Sequence, residues 1–565
     1  MRTALRSILV VLFLAASAVA CSGSGAGTQP GSGPLDTSNL AFDSGIDTAS
    51  ASDQGAAADA DAAAADATEV SGADAPLDPD TTADSAPDVE QLDDAEDSAA
   101  AADVASPDAA ADASAETAQP ADAAVVPDGP VWDLPKVSDA STAQCTYTNP
   151  KNELKDLTML ATWHVTYQSW ESIDGKLVPI TIKGFAARPA NATSKLPGVI
   201  LAHGLGGYAT LESAESLAAR LGMFVIAYSG PGSGTNAADT SGGQGPSVKE
   251  GYRMFDTLAD PRGSWFWGHA TAAMRGVTCL ANHPDVKSDS LGITGFSAGG
   301  VMSWLVAAHD PRIKVAVPMS GSLAWDVATE SPTAWQHTLL QKAGLSIASP
   351  EWKKLMSELI SPSLGLPNSA VKVLMLNGTT DEFFPLTATQ ATFSQLPGAD
   401  HRYSLIGNFD HGCFGLTGGE SKAEIEARAS LRADGGQRMW FRHWFGTDSN
   451  YAYVPQPPQV SVQSAGGMSL VTAIVDSGGS KLAVDEVRAW ASGDNCYFFA
   501  SATLDAGKNG IWSKIVPLAF PPNAVYFVDV QYKTKTIIPE KFSISSAPVI
   551  PAGLVPKIRA IDSCQ

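Results

Sequence analysis

The chain has 565 residues, 44% of them hydrophobic, enough for two or three domains and a sizeable core. Its formal net charge is −24, and no cluster of lysine and arginine could neutralise phosphates, so nucleic acid is excluded as a partner. The excess is confined to residues 22–130, which hold 24 acidic residues and no lysine or arginine; elsewhere 36 basic residues face 36 acidic ones.

The chain opens with Arg2 and Arg6, an apolar run over 8–16 and small residues up to Ala20, the pattern of a signal peptide over 1–20, too short for a membrane span. The small residues directly before Cys21 resemble the lipobox of bacterial lipoproteins, although Ala18 stands where leucine is usual. The resemblance implies cleavage before Cys21 and lipid on its sulfur, hence a place in the bacterial cell envelope. Ordinary secretion with Cys21 left as a thiol is the alternative. Alanine, aspartate, serine, glycine and proline dominate the acidic stretch beyond it, so it is expected to be a disordered, self-repelling tether, assigned to residues 21–143 with structure expected to begin near 131–145. Beyond Cys21 there are Cys145, Cys279, Cys413, Cys496 and Cys564, an odd number with no close spacing that suggests metal. Export permits disulfides, and Cys496 with Cys564 or Cys145 with Cys564 both fit.

Residues 163–170 and 179–189, separated by Asp174-Gly175, read as an antiparallel hairpin at a sheet edge. The apolar run 196–202 reads as a strand buried on both faces, as in a parallel sheet. It ends in His203-Gly204-Leu205-Gly206-Gly207, whose glycines let backbone N–H groups approach a ligand. The spacing fits neither G-x-G-x-x-G nor a P-loop. Next come a helix over 211–221, a strand over 223–228, a glycine turn over 229–234 and the aromatic cluster 264–267 leading into a helix.

Residues 291–300 carry the strongest signal. A short apolar strand ends in Gly295-Phe296-Ser297-Ala298-Gly299, and the apolar content of 300–309 suits a helix packed on a sheet. Strand, tight turn and helix form a nucleophile elbow: the serine hydroxyl is pushed above the strand's carboxyl end, and only small residues fit two positions to either side. The Ala298 N–H then lies at a helix start, facing any oxyanion that forms there. The second oxyanion donor is read as Leu205, with Gly204 or Gly206 as alternatives, while His203 is read as bracing that loop.

Ala186 to Pro189, His203-Gly204, the Trp265 segment with Arg275, and Gly295 to Gly300, in this order, resemble an α/β-hydrolase near the acetyl xylan esterases, dienelactone hydrolases and prolyl-oligopeptidase-like enzymes. The resemblance covers roughly residues 160–445 and implies a mostly parallel, doubly wound sheet. In that fold the acid and the histidine follow the serine on later loops. Asp381, after the strand 371–376, is read as the acid, with Glu382 beside it and Asp326 one strand earlier as alternatives. His411, after the strand 403–406, is the histidine in the right place; His401 precedes that strand and His443 sits in a terminal helix. The segment 322–370, with Trp325, Trp335 and Trp352, reads equally as a cap over the site or as helices packed on the sheet edge. Alternating segments after the prolines of 455–458 read as a small β-sandwich.

The expected organisation is thus a signal peptide over 1–20, a tether over 21–143, an α/β-hydrolase domain over 144–453 and a C-terminal all-β sandwich-like domain over 454–565. The expected activity is that of an exported serine esterase using Ser297, His411 and Asp381, with Ala298 and Leu205 at the oxyanion, acting on a small-molecule or carbohydrate ester. No metal or organic cofactor is expected, and membrane contact only through a lipid on Cys21. A peptidase of the prolyl-oligopeptidase kind, or a surface lipoprotein using the fold without catalysis, are the rivals.

Overall fold

The computed structural model describes residues 129–237, 239–246, 252–412, 420–516 and 524–558. The signal peptide, Cys21 with its lipid, the tether as far as residue 128, Cys413 and Cys564 lie outside the described residues.

The strands are β1 (Thr146–Lys155), β2 (Thr158–Ile173), β3 (Lys176–Pro189), β4 (Leu196–Ala202), β5 (Phe224–Tyr228), β6 (Val286–Phe296), β7 (Ile313–Met319), β8 (Lys372–Gly378) and β9 (Arg402–Ile406). The C-terminal part adds β10 (Gln459–Ala465), β11 (Met468–Ile474), β12 (Leu482–Ser492), β13 (Ala500–Thr503), β14 (Asp505–Ala506), β15 (Ile511–Val516), β16 (Val525–Thr534) and β17 (Lys541–Ser545). Thirteen of them form one sheet in the order β1-β2-β3-β5-β4-β6-β7-β8-β9-β17-β16-β12-β13. From β5 to β9 every neighbouring pair is parallel, and most of the residues in these strands are buried, as in a sheet whose two faces are covered by helices. β2 and β3 form the expected hairpin through Asp174 and Gly175, both at positive φ (50° and 72°), a turn geometry that glycine and aspartate tolerate.

The sheet does not stop at the last parallel strand. β17 pairs antiparallel with β9 through Ser545 and Tyr403, and β16, β12 and β13 continue outward. A second, four-stranded antiparallel sheet, β10-β11-β15-β14, packs on this extension. Val471, Ala473 and Val516 from it share a core with Val487, Ala489, Val528 and Val530. The C-terminal part is therefore a sandwich one of whose sheets is shared with the α/β part.

Two sequence expectations are corrected. Residues 131–143, assigned to the tether, fold: the short helices Leu134–Ser138 and Ala140–Ala143 bury Val137 and Ala143. Arg275 on the helix Trp265–Asn282 donates to the backbone carbonyls of Lys136, Val137 and Asp139 and so holds them. Cys145 is bonded to Cys279 and not to Cys564, because this docking lays the end of the segment on the helix that carries Cys279. Cys496 is a buried thiol, and burial pushes it up to about 12.

Candidate active site

β6 delivers Ser297 to the rim of the sheet, and the helix Ala298–His309 leaves directly from it. The turn between them holds Ser297 at φ 61° and ψ −124°, a region that non-glycine residues rarely occupy and that nucleophile elbows store as strain. Two neighbours must be glycine for the chain to bend so tightly. A β-carbon on Gly295 would lie 2.4 Å from the Ala202 oxygen, and one on Gly299 would lie 2.2 Å from the same atom. Packing this close brings the end of β4 and its loop against the elbow.

Asp381 leaves β8 in a tight turn. Its Oδ1 accepts the backbone N–H groups of Phe383 (3.0 Å) and Phe384 (2.8 Å), so the carboxylate is oriented before any other partner is counted. Both its oxygens lie 3.1 Å from Nδ1 of His411, on the loop after β9. Nδ1 faces a carboxylate and therefore carries the ring proton, leaving Nε2 as the acceptor. Nε2 lies 2.8 Å from the Ser297 hydroxyl oxygen. Three residues spread over more than a hundred positions thus converge on one chain of hydrogen bonds, with Asp381 and His411 buried.

The ring is clamped by aromatic neighbours. Phe296 stacks on it at 4.9 Å and Phe383 meets it edge-on at 4.3 Å. Trp335, from the insertion between β7 and β8, packs on Phe383 at 4.9 Å, and the neighbouring Gln336 donates to the Phe383 carbonyl. The 322–370 segment therefore borders the site through Trp335, which packs on Phe383 and Phe384, and Trp325, which packs on Phe384, while Trp325 and Trp352 also pack on each other in the core.

The acetyl xylan esterase (AXE1) family matches residues 132–324, and the prolyl oligopeptidase family matches residues 267–430. The two matches overlap across the elbow. The chain is an α/β-hydrolase. An Escherichia coli (strain K12) protein named "Putative carboxymethylenebutenolidase" is 29% identical over 163 residues, 28% of this chain and 47% of that protein. The chain thus spans about half the length of the curated relatives it matches. Among solved structures, the acetyl xylan esterase from Paenibacillus sp. R4 is 18% identical with a TM-score of 0.41, over 50% of this chain and 87% of that one. Acetyl xylan esterase 1 from Thermoanaerobacterium sp. JW/SL YS485 is 17% identical with a TM-score of 0.37, over 51% and 90%.

The other residues of this α/β-hydrolase that the sequence singled out have separate places around the triad. Ala298 is the first residue of its helix, where an N–H has no intrahelical partner. Leu205 sits at the tip of a turn closed by the Gly207 N–H on the Gly204 carbonyl. His203 holds two loops together: Nδ1 lies 2.7 Å from the Gly204 carbonyl oxygen and Nε2 accepts the Gly230 N–H at 2.8 Å. Burial lowers its pKa to about 4, so it stays neutral as a brace. His401 spans Pro397 and Val373, and His443 binds the Tyr451 carbonyl. Asp326 is exposed and, among the described residues, forms no ion pair with a histidine.

Glu382 is a different matter. Its Oε2 accepts the His411 backbone N–H at 2.9 Å, and the residue is buried. Burial, then the nearby Asp410 and Asp381 carboxylates, push its pKa up to about 8. The sequence offered it only as a spare acid, whereas it grips the main chain of the histidine. The aromatic clamp was also missed, since Phe296 and Phe383 show no spacing that distinguishes a wall from ordinary core.

Proposed function

We propose that this chain is an exported serine carboxylic-ester hydrolase acting through an acyl-enzyme. The observation that carries the reading is the unbroken run from Asp381 through both ring nitrogens of His411 to the Ser297 hydroxyl. His411 Nε2 takes the Ser297 proton as the oxygen attacks the ester carbonyl, and the carbonyl electrons move onto oxygen. The N–H groups of Ala298 and Leu205 hold that oxyanion. Collapse breaks the bond to the alcohol, which leaves with the proton from His411. A water then repeats the sequence, giving up its proton to His411 and releasing the acid. Asp381 stabilises the imidazolium formed in each half.

The match to the acetyl xylan esterase family supports an acyl ester of a small molecule or a carbohydrate as substrate. The Cys145–Cys279 bond supports an exported protein, since such bonds persist in oxidising compartments. Cys21 is the position proposed to carry a lipid anchor.

The match to the prolyl oligopeptidase family favours peptide cleavage as a second reading. One experiment separates them: labelling with a fluorophosphonate probe, followed by turnover of acetyl esters against prolyl peptides. Labelling at Ser297 with ester turnover is expected, and Ser297→Ala should lower kcat by a factor on the order of 10⁶. Peptide turnover without ester turnover would replace the esterase reading, and an unlabelled Ser297 in folded protein would end both.

A further inference from the structure

Strand β9 and the loop after it are gripped from the C-terminal part at successive points leading to His411. The Leu405 N–H donates to Ser545 Oγ at 2.9 Å, and Arg432, which donates to the Leu405 carbonyl, is ion-paired with Asp529 on β16. Gly407 lies flat on Trp490 of β12, where an added β-carbon would stand 2.5 Å from the indole ring. Arg428 stacks over the same indole and donates to the Gly407 carbonyl.

The closest grip is at Asn408, three residues before the histidine. It holds a left-handed conformation with φ 55°, where asparagine is better tolerated than most residues. Its side-chain amide pairs head to tail with the main chain of Phe499: Nδ2 donates to the Phe499 carbonyl and the Phe499 N–H donates to Oδ1, both at 2.8 Å. Both residues are buried, so this pair is shielded from competition with water. On the opposite flank the loop is tied to the acid turn: the Asn408 N–H donates to Thr379 Oγ1, and the His411 N–H donates to Glu382. One side of the loop thus belongs to the hydrolase and the other to the sandwich.

We propose that the C-terminal sandwich completes the active site by positioning the His411 loop, with Asn408 as the positioning residue and Phe499 and Trp490 as its abutment. The proposal rests on the catalytic reading of His411. It gives the C-terminal part a role in turnover without any contact to substrate. Misplacing a base by about 1 Å can cost on the order of 10²-fold in rate, so a few anchors of this kind are enough to matter.

The test uses the full-length chain and Asn408→Gly, because glycine accepts the positive φ, so the loss is confined to the side-chain amide: its pair with Phe499 and a longer donation of Nδ2 to Glu420 at 3.2 Å. The expected result is a fall in kcat of about 10- to 100-fold with KM changed less than about threefold. Amide hydrogen exchange should quicken at 408–412 while the elbow keeps its protection. Gly407→Ala, which pushes the loop off Trp490, should reproduce the kcat loss, and trimming the indole with Trp490→Phe in the same chain should restore part of it. A kcat for Asn408→Gly within twofold of the parent, or unchanged exchange at 408–412, overturns the proposal. Quickened exchange in a chain whose parent turns over no ester would instead overturn the esterase reading while the positioning stands.

Discussion

In the proposed mechanism the nucleophile elbow and the histidine loop perform complementary halves of one task, but they are built in different ways. The elbow's bend is made by two glycines within two positions of Ser297, packed on the backbone of β4. Gly295 and Gly299 let the backbone approach Ala202, and the strained Ser297 follows from that approach. The histidine loop has two local bonds, the Phe409 N–H on the Ile406 carbonyl and the Gly412 N–H on Asp410, but its position is set from outside. It is placed by Thr379 and Glu382 on one side and by Trp490 and Phe499 on the other, the last of these 91 positions from Asn408. On the proposed mechanism the nucleophile is held by close backbone packing that only glycine permits, and the base by side-chain hydrogen bonds from both flanks, so the second half is the one that single side-chain changes elsewhere in the chain can loosen.

The sharpest way to break the second half is at the acid. In Asp381→Asn the amide oxygen can still accept from Phe383 and Phe384, so the turn should survive, but an amide N–H facing Nδ1 favours the wrong tautomer. A loss of about 10⁴ in kcat is expected, with the melting temperature nearly unchanged. Stopped-flow or steady-state ester hydrolysis would measure it. A loss below about tenfold would transfer the acid's role to Glu382, which stands next in the chain.

That ambiguity shows what the sequence could and could not say. The elbow was legible because glycine spacing, an apolar strand and an apolar helix all point to one geometry. Asp381 and His411 were legible only through order along the chain, since a lone aspartate or histidine in a loop has no local signature. The brace at His203 could be read from its place beside a glycine loop, whereas Asn408 looks like any loop asparagine until Phe499 is beside it. The same holds for the sheet: the strands of the C-terminal part alternate as a sandwich should, but nothing in that alternation says that β17 will pair with β9. Pairing between distant strands depends on edges that only the assembled fold exposes.

Glu382 offers a milder test, one that separates the hold on His411 from the chemistry it serves. Its folded pKa of about 8 lies above its ordinary value of 4.5, with burial the main cause and Asp410 and Asp381 adding to it. The neutral form is therefore favoured in the folded state. The stabilisation this gives is fully present below pH 4.5 and drains away as the pH rises toward 8. Across that window the group should lower stability by about 1.4 kcal/mol per pH unit. Glu382→Gln retains an oxygen to accept the His411 N–H but cannot ionise, so denaturant midpoints measured from pH 5 to 9 should lose this slope. A slope equal to that of the parent would place the titrating group elsewhere.

The smallest effect on turnover is expected at the Cys145–Cys279 bond, which touches neither half of the site. It ties the end of the docked 131–143 segment to the helix Trp265–Asn282, and with 134 positions between the two cysteines it closes a long loop. Replacing both cysteines with serine should cost about 2–5 kcal/mol of stability, seen as a lower denaturation midpoint. Well below that midpoint kcat should match the parent, because Arg275 still holds the segment and no anchor of the elbow or the histidine loop is removed. The pairing of lost stability with unchanged kcat is the reverse of that expected for Asp381→Asn. A fall in kcat here would mean that the histidine loop responds to global stability and not to its own anchors, which would erase the contrast between the two halves of the site.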